Sequence, residues 1–84
     1  MNELDQFRKE IEQIDSDLIK LITKRMEISS KIGELKKKNG ISVYDPKREE
    51  ELKNINLSKV DAKFKQGYTE IFETILKVSK DFQL

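Results

Sequence analysis

Apolar residues recur along the first part of the chain at alternating steps of four and three. They run Phe7, Ile11, Ile14, Leu18, Leu21, then Ile28, Ile32 and Leu35, with Leu4 extending the stripe backwards. The position between Leu21 and Ile28 falls on Arg25, the one polar member. This is the heptad seam of one long helix. Gly33 is the only helix breaker before Asn39-Gly40, a suitable stop because glycine adopts the left-handed cap. Residues 4–38 would reach roughly 50 Å at ~1.5 Å per residue, whereas a compact chain of this length has a radius of gyration of about 12 Å. The remaining residues cannot cover such a helix. The seam therefore predicts a second copy, with the two long helices antiparallel.

The segment 39–44 reads as a loop. Asp45-Pro46 is a helix start, since aspartate caps and proline suits the first helical position. A short helix with Leu52 and Ile55 on its buried side follows and breaks at Asn56-Leu57. Ser58-Lys59-Val60-Asp61 resembles a capping box, with aspartate in place of the preferred glutamate. It would open a third helix with an apolar stripe of Val60, Phe64, Tyr68, Ile71, Phe72, Ile75, Val78 and Phe82. Gly67 inside that helix either lets another helix approach or is merely tolerated. The expected fold is all-α: long helix, short helix, medium helix, in a single domain over residues 1–84.

Charged residues make up 39% of the 84 and apolar ones 36%, the balance of long amphipathic helices. Seventeen Lys plus Arg against sixteen Asp plus Glu give a net charge of +1, which leaves no electrostatic footprint for nucleic acid or an anionic membrane. Histidine and cysteine are both absent, which removes Ser–His and Cys–His catalysis, disulfides and the usual zinc ligands. No metal or cofactor is expected. No apolar run is long enough for a membrane span, and no signal sequence opens the chain, so the expected location is cytoplasmic.

Against this background the arginines stand out. Lysine supplies every cation except Arg8, Arg25 and Arg48. Arg25 in the seam needs a carboxylate partner, and it reads either as an ion pair fixing register or as an anion site. Lys36, eleven residues on, returns to within about 20° of the same direction and lies some 16 Å along the axis. Arg8 lies about 25 Å from Arg25 within one helix. It reads either as a surface residue paired with Glu12 or as a group that meets the Arg25–Lys36 half of an antiparallel partner. Ser79 and Gln83 are an i,i+4 pair on one face of the third helix, either pocket-lining or at the surface.

The motifs Arg8-x5-Ile14-Asp15, Leu21-Ile22-x2-Arg25, Lys31-Ile32-Gly33-x2-Lys36 and Val43-Tyr44-Asp45-Pro46-x-Arg48-Glu49, with Phe72, Ile75, Ser79 and Gln83, resemble the all-helical chorismate mutases. The resemblance runs nearly the whole chain and places all three arginines on family arginine positions. It implies an intertwined homodimer with two shared sites that rearranges chorismate to prephenate on the way to phenylalanine and tyrosine. The reaction needs no nucleophile or metal, which suits a chain without His or Cys. It implies that Arg25 and the other copy's Arg8 clamp the substrate carboxylates. Lys36 would reach a carboxylate and the ether oxygen, to which Gln83 also donates. Glu49, supported by Lys36, would accept from the ring hydroxyl, Ser79 would donate to a carboxylate, and Arg48 and Asp45 would line the mouth. Tyr44 stands where some relatives carry arginine. Gln83, next to the last residue, sits where a helix end frays.

Two other readings compete. One is isochorismate–pyruvate lyase on the same fold, a branch that by family comparison lacks the carboxylate at Glu49. The other is a non-catalytic helical dimerisation module, which leaves Arg25 and the Asp-Pro-x-Arg-Glu motif unexplained.

Overall fold

The computed structural model describes residues 2–84, and these are all-helical. Helix α1 spans Glu3–Lys38, α2 Pro46–Leu57 and α3 Lys65–Gln83, with a single 3-10 turn at Ala62–Phe64 before α3. Each boundary has a local cause. Asn2 caps α1 by accepting from the Asp5 N–H at 2.8 Å. The acidic first turn and the lysines of the last turn both suit the helix dipole. At the other end Gly40 takes φ 66°, the Ile41 N–H reaches the Lys36 carbonyl at 2.8 Å, and Gly40 N–H reaches Lys37 at 3.4 Å. These are the paired bonds of a Schellman cap, which turns the chain back toward the helix it has left. Asp45 caps α2 by accepting from the Arg48 N–H at 3.1 Å, with Pro46 beside it.

The expected start of the third helix is corrected. Ser58 closes α2 instead of opening α3: its N–H bonds to Asn54 and its hydroxyl donates to the Ile55 carbonyl at 2.6 Å. With that hydroxyl committed there is no cap left for a following helix. Val60 and Phe64 thus precede α3, and the Phe64 N–H closes the 3-10 turn onto the Asp61 carbonyl at 2.9 Å. On α2 Leu52 is half-buried, whereas Ile55 is 49% exposed and does not share its buried side.

Both other helices pack against α3. Its Phe72 and Leu76, 5% and 6% exposed, form the small apolar centre, with Ser29 and Gly33 of α1 buried against it. Only the second half of α1 is engaged. The seam side chains Leu4, Phe7, Ile11, Ile14, Leu18 and Leu21 stay between 45% and 66% exposed. The molecule is correspondingly drawn out, 57 Å in its longest dimension with a radius of gyration of 16.2 Å. No helix among the described residues is long and apolar enough to cross a membrane.

Two glycines behave oppositely. A Cβ on Gly33 would fall onto the backbone of Gln83, within 2.8 Å of its carbonyl carbon, so only glycine lets α1 and α3 meet there. A Cβ on Gly67 meets nothing within 4 Å, which leaves that glycine as a tolerated one. Gly33→Ala should therefore cost about 1–3 kcal/mol by overpacking. Gly67→Ala should gain about 0.5–1 kcal/mol from helix propensity and unfolded-state entropy. Denaturant titration of the two variants measures both, and equal effects would refute the assigned close approach.

Candidate active site

The α1–α3 contact, the loop before α2 and the first turns of α2 enclose a cleft of about 580 Å³. Ile28, Ile32, Leu52 and Leu76 give it apolar walls. Its polar groups come from three elements. Arg25, Ser29 and Lys36 recur on one side of α1 at steps of four and seven; Ser79, Lys80 and Gln83 occupy the last turns of α3; Asp45, Arg48 and Glu49 form the start of α2.

A hydrogen-bonded chain crosses the α1–α3 contact. The Ser29 and Ser79 hydroxyls lie 2.7 Å apart, either able to donate. Gln83 Nε2 donates to Ser79 Oγ at 3.4 Å, and Gln83 Oε1 accepts from Lys36 Nζ at 2.8 Å. Lys36 Nζ also donates to the Val43 carbonyl at 3.1 Å, which ties the loop to α1. Gln83 is thus held at its backbone by Gly33 and at its side chain by two partners, which opposes the fraying expected so near the chain end.

Two of the four cations in the cleft, Arg25 and Lys36, have no carboxylate partner among the described residues. Arg25 pairs with no acid among the described residues; its guanidinium stands over the Phe72 ring at 6.0 Å from the centroid, and that ring in turn stacks on Tyr68. A ring face partly offsets the desolvation of a cation without neutralising it. The ion-pair reading of Arg25 thus finds no carboxylate among the described residues, and the guanidinium is left open to an anion. Arg48 makes a loose exposed contact with Glu51 at 3.6 Å. Lys80 Nζ, by contrast, pairs with Glu49 Oε1 at 3.1 Å and lies 5.1 Å from the Tyr44 ring centroid. Glu49 is therefore held by Lys80, not by Lys36. Four cations, Arg25, Lys36, Arg48 and Lys80, face two acids, Asp45 and Glu49. That surplus suits a small ligand with two negative charges. No group of His, Cys, Asp and Glu that could hold a metal exists among the described residues.

Of the residues singled out from sequence, Arg25, Lys36, Asp45, Arg48, Glu49, Ser79 and Gln83 all line this cleft. Arg8 does not. It is exposed on the free half of α1 and pairs with Asp5 at 3.9 Å, one turn before it, and not with Glu12. Sequence reasoning passed over Ser29 and Lys80. Ser29 is four residues from Arg25, on the same side of α1, so helical spacing alone could have found it. Lys80 follows Ser79 directly but resembles any surface lysine in a lysine-rich chain.

A second hollow, of about 500 Å³, opens on the other side of Arg25. Ile22, Met26, Ile71, Ile75 and Val78 line it, and Arg25 is the one seam position that reaches it.

This arrangement can be set beside known proteins. The model of the family chorismate mutase type II matches residues 7–84. The chain belongs to that family. A bifunctional chorismate mutase/prephenate dehydratase of Aquifex aeolicus is 38% identical over 81 residues, which is 96% of this chain but 17% of that protein. A chorismate mutase of Methanocaldococcus jannaschii is 37% identical over 49 residues, 58% of this chain and 50% of the relative. The chain therefore spans half or less of these relatives. A solved structure of a conserved hypothetical protein from Pyrococcus furiosus superposes with a TM-score of 0.82 at 42% identity, covering 100% of this chain and 99% of the other.

Ser29→Ala should cost about 1 kcal/mol, the usual worth of a hydrogen bond whose loss strands a partner. It should also loosen Gln83 through Ser79. Denaturant titration reads the first effect, and the side-chain amide NMR signal of Gln83 reads the second. An unshifted amide would sever the proposed chain.

Proposed function

We propose that residues 1–84 form a chorismate mutase domain that converts chorismate to prephenate, one step in making phenylalanine and tyrosine. The observation that carries this reading is the cleft itself. It gathers unneutralised cations and a hydrogen-bonding glutamine around an apolar floor, in a chain without histidine or cysteine. The rearrangement breaks one C–O bond and forms one C–C bond within a single molecule. No atom leaves and no proton must be transferred. Catalysis then consists of holding the flexible dianion folded and stabilising the charge that grows on the ether oxygen.

Arg25 binds a substrate carboxylate, and its position over Phe72 keeps it aimed without neutralising it. Lys36 and Gln83 converge where the ether oxygen would sit. Lys36 reaches it directly, and Gln83 keeps Oε1 on Lys36 while Nε2 gives up its long bond to Ser79 for the ligand. Ser79 then donates to a carboxylate, Glu49 accepts from the ring hydroxyl, and Asp45 and Arg48 frame the mouth. The water-poor apolar walls strengthen each contact.

The assembly in this proposal is an intertwined antiparallel homodimer. The seam of α1 and the hollow beside Arg25 are apolar and open, and covering the seam side chains, each still about half exposed, would drive association. Running the second α1 antiparallel along the first carries its Arg8 toward the Arg25–Lys36 half and completes the cation set. A biosynthetic enzyme of this kind belongs in the cytoplasm.

The test follows chorismate by its absorbance, with light scattering for mass. The protein should consume chorismate, release prephenate and elute at twice the chain mass. Lys36→Ala and Arg8→Ala should each lower kcat/KM by about 10²–10³ or more, the scale of a lost transition-state contact. Mixing the two inactive variants should restore one good site in each mixed dimer. A mixture that stays inactive refutes the shared site.

A further inference from the structure

Two lysines enter the cleft, and they are used differently. Lys36 Nζ donates only to neutral acceptors, the Val43 carbonyl and Gln83 Oε1, so its charge is uncompensated. Lys80 Nζ takes the carboxylate of Glu49 at 3.1 Å, with the side chains 35% and 22% exposed. The Tyr44 ring lies 5.1 Å from the same ammonium and packs it from the loop side. Lys80 thus joins the last turn of α3 to the first turn of α2 and to the loop between α1 and α2. Glu49 lines the same cleft as Lys36. A carboxylate there without a partner would be drawn to an uncompensated cation of the cleft such as Lys36, because an unpaired half-buried charge is costly.

We propose that Lys80 is a positioning residue of this site: by holding Glu49 it keeps that carboxylate off Lys36 and leaves the Lys36 charge to an anionic ligand. The inference rests on the chorismate mutase reading and adds to it. The ion pair does not itself touch substrate. It decides which of the two cleft lysines is neutralised, and it fixes the rotamer in which Glu49 meets a hydroxyl donor. Tyr44 supports it by covering the lysine with a ring, a contact that favours the extended ammonium.

The test is a double-mutant cycle on the intact chain, read with a bicyclic dicarboxylate that mimics the folded transition state. Calorimetry gives its affinity, and chorismate turnover gives kcat and KM. Lys80→Met removes the charge and keeps the length, and thermal melts show whether it folds; Lys80→Gln gives the same comparison if the methionine disturbs the fold. Lys80→Met should weaken dicarboxylate binding and raise KM by about tenfold, with a smaller fall in kcat, within the range of couplings between contacting residues. Adding Glu49→Gln to Lys80→Met should recover much of the dicarboxylate affinity, because no carboxylate then competes for Lys36. Lys80→Arg, able to hold Glu49, should stay within about threefold of the native chain. Unchanged binding in Lys80→Met would overturn the inference. So would a Glu49→Gln effect equal in both backgrounds, which is the signature of a lysine that only stabilises the fold. A native chain that neither binds the dicarboxylate nor turns over chorismate would instead refute the mutase reading, so the two failures are distinguishable.

Discussion

The approach of α1 to α3 at Gly33 sets the position of nearly every group in the cleft. With no side chain at that point, the backbone of Gln83 rests directly on α1. The last turns of α3 then lie close enough for Ser79 to meet Ser29 and for Gln83 to meet Lys36. Four residues of the cleft wall, Ser29, Lys36, Ser79 and Gln83, are therefore located by one backbone contact. The same contact pins Gln83 in the last turn of α3, the part of the chain that would otherwise fray.

A cleft with more cations than acids has to be kept from neutralising itself. The structure does this in three ways. Arg25 is set on an aromatic face and not beside a carboxylate. Lys36 is held by a carbonyl and an amide oxygen, which orient an ammonium while leaving its charge in place. Asp45 spends its side chain on the N-cap of α2, where it accepts a backbone N–H. Each device replaces an ion pair by a weaker, directional contact. The result is an electrostatically unsatisfied site of the kind that stabilises added negative charge.

The long helix could be read from sequence because a 3.5-residue repeat over four heptads has no competing explanation, and its stop and the start of α2 could be read because Gly40 and Asp45-Pro46 act through local chemistry alone. The third helix began later than expected for an equally local reason. Ser58 has one hydroxyl, which could cap forward or close backward, and its sequence is the same for both uses. The site divides along similar lines. Arginine scarcity and the motif spacing marked the residues that touch the cleft from α1, α2 and the end of α3. They could not mark Lys80, because a lysine pairing with Glu49 across two helices is set by tertiary packing, and nothing in its neighbourhood distinguishes it from Lys77. Nor could they show that Arg25 would sit on Phe72, since that depends on the rotation of α3 about its axis.

Arg25 links the two halves of the molecule. It lines the polar cleft on one side and the apolar hollow on the other, together with Ser29 and Ser79. In the proposed dimer the hollow is filled by the other copy's seam, which removes water from one flank of the guanidinium. Desolvating a cation strengthens its attraction for an anion arriving on the opposite flank. Assembly would therefore do more than bring in Arg8: it would raise the strength of a binding group already present in each chain. In that dimer the bare seam and the uncompensated charge would act together: the first would draw two chains together, and the second would gain strength once they had met.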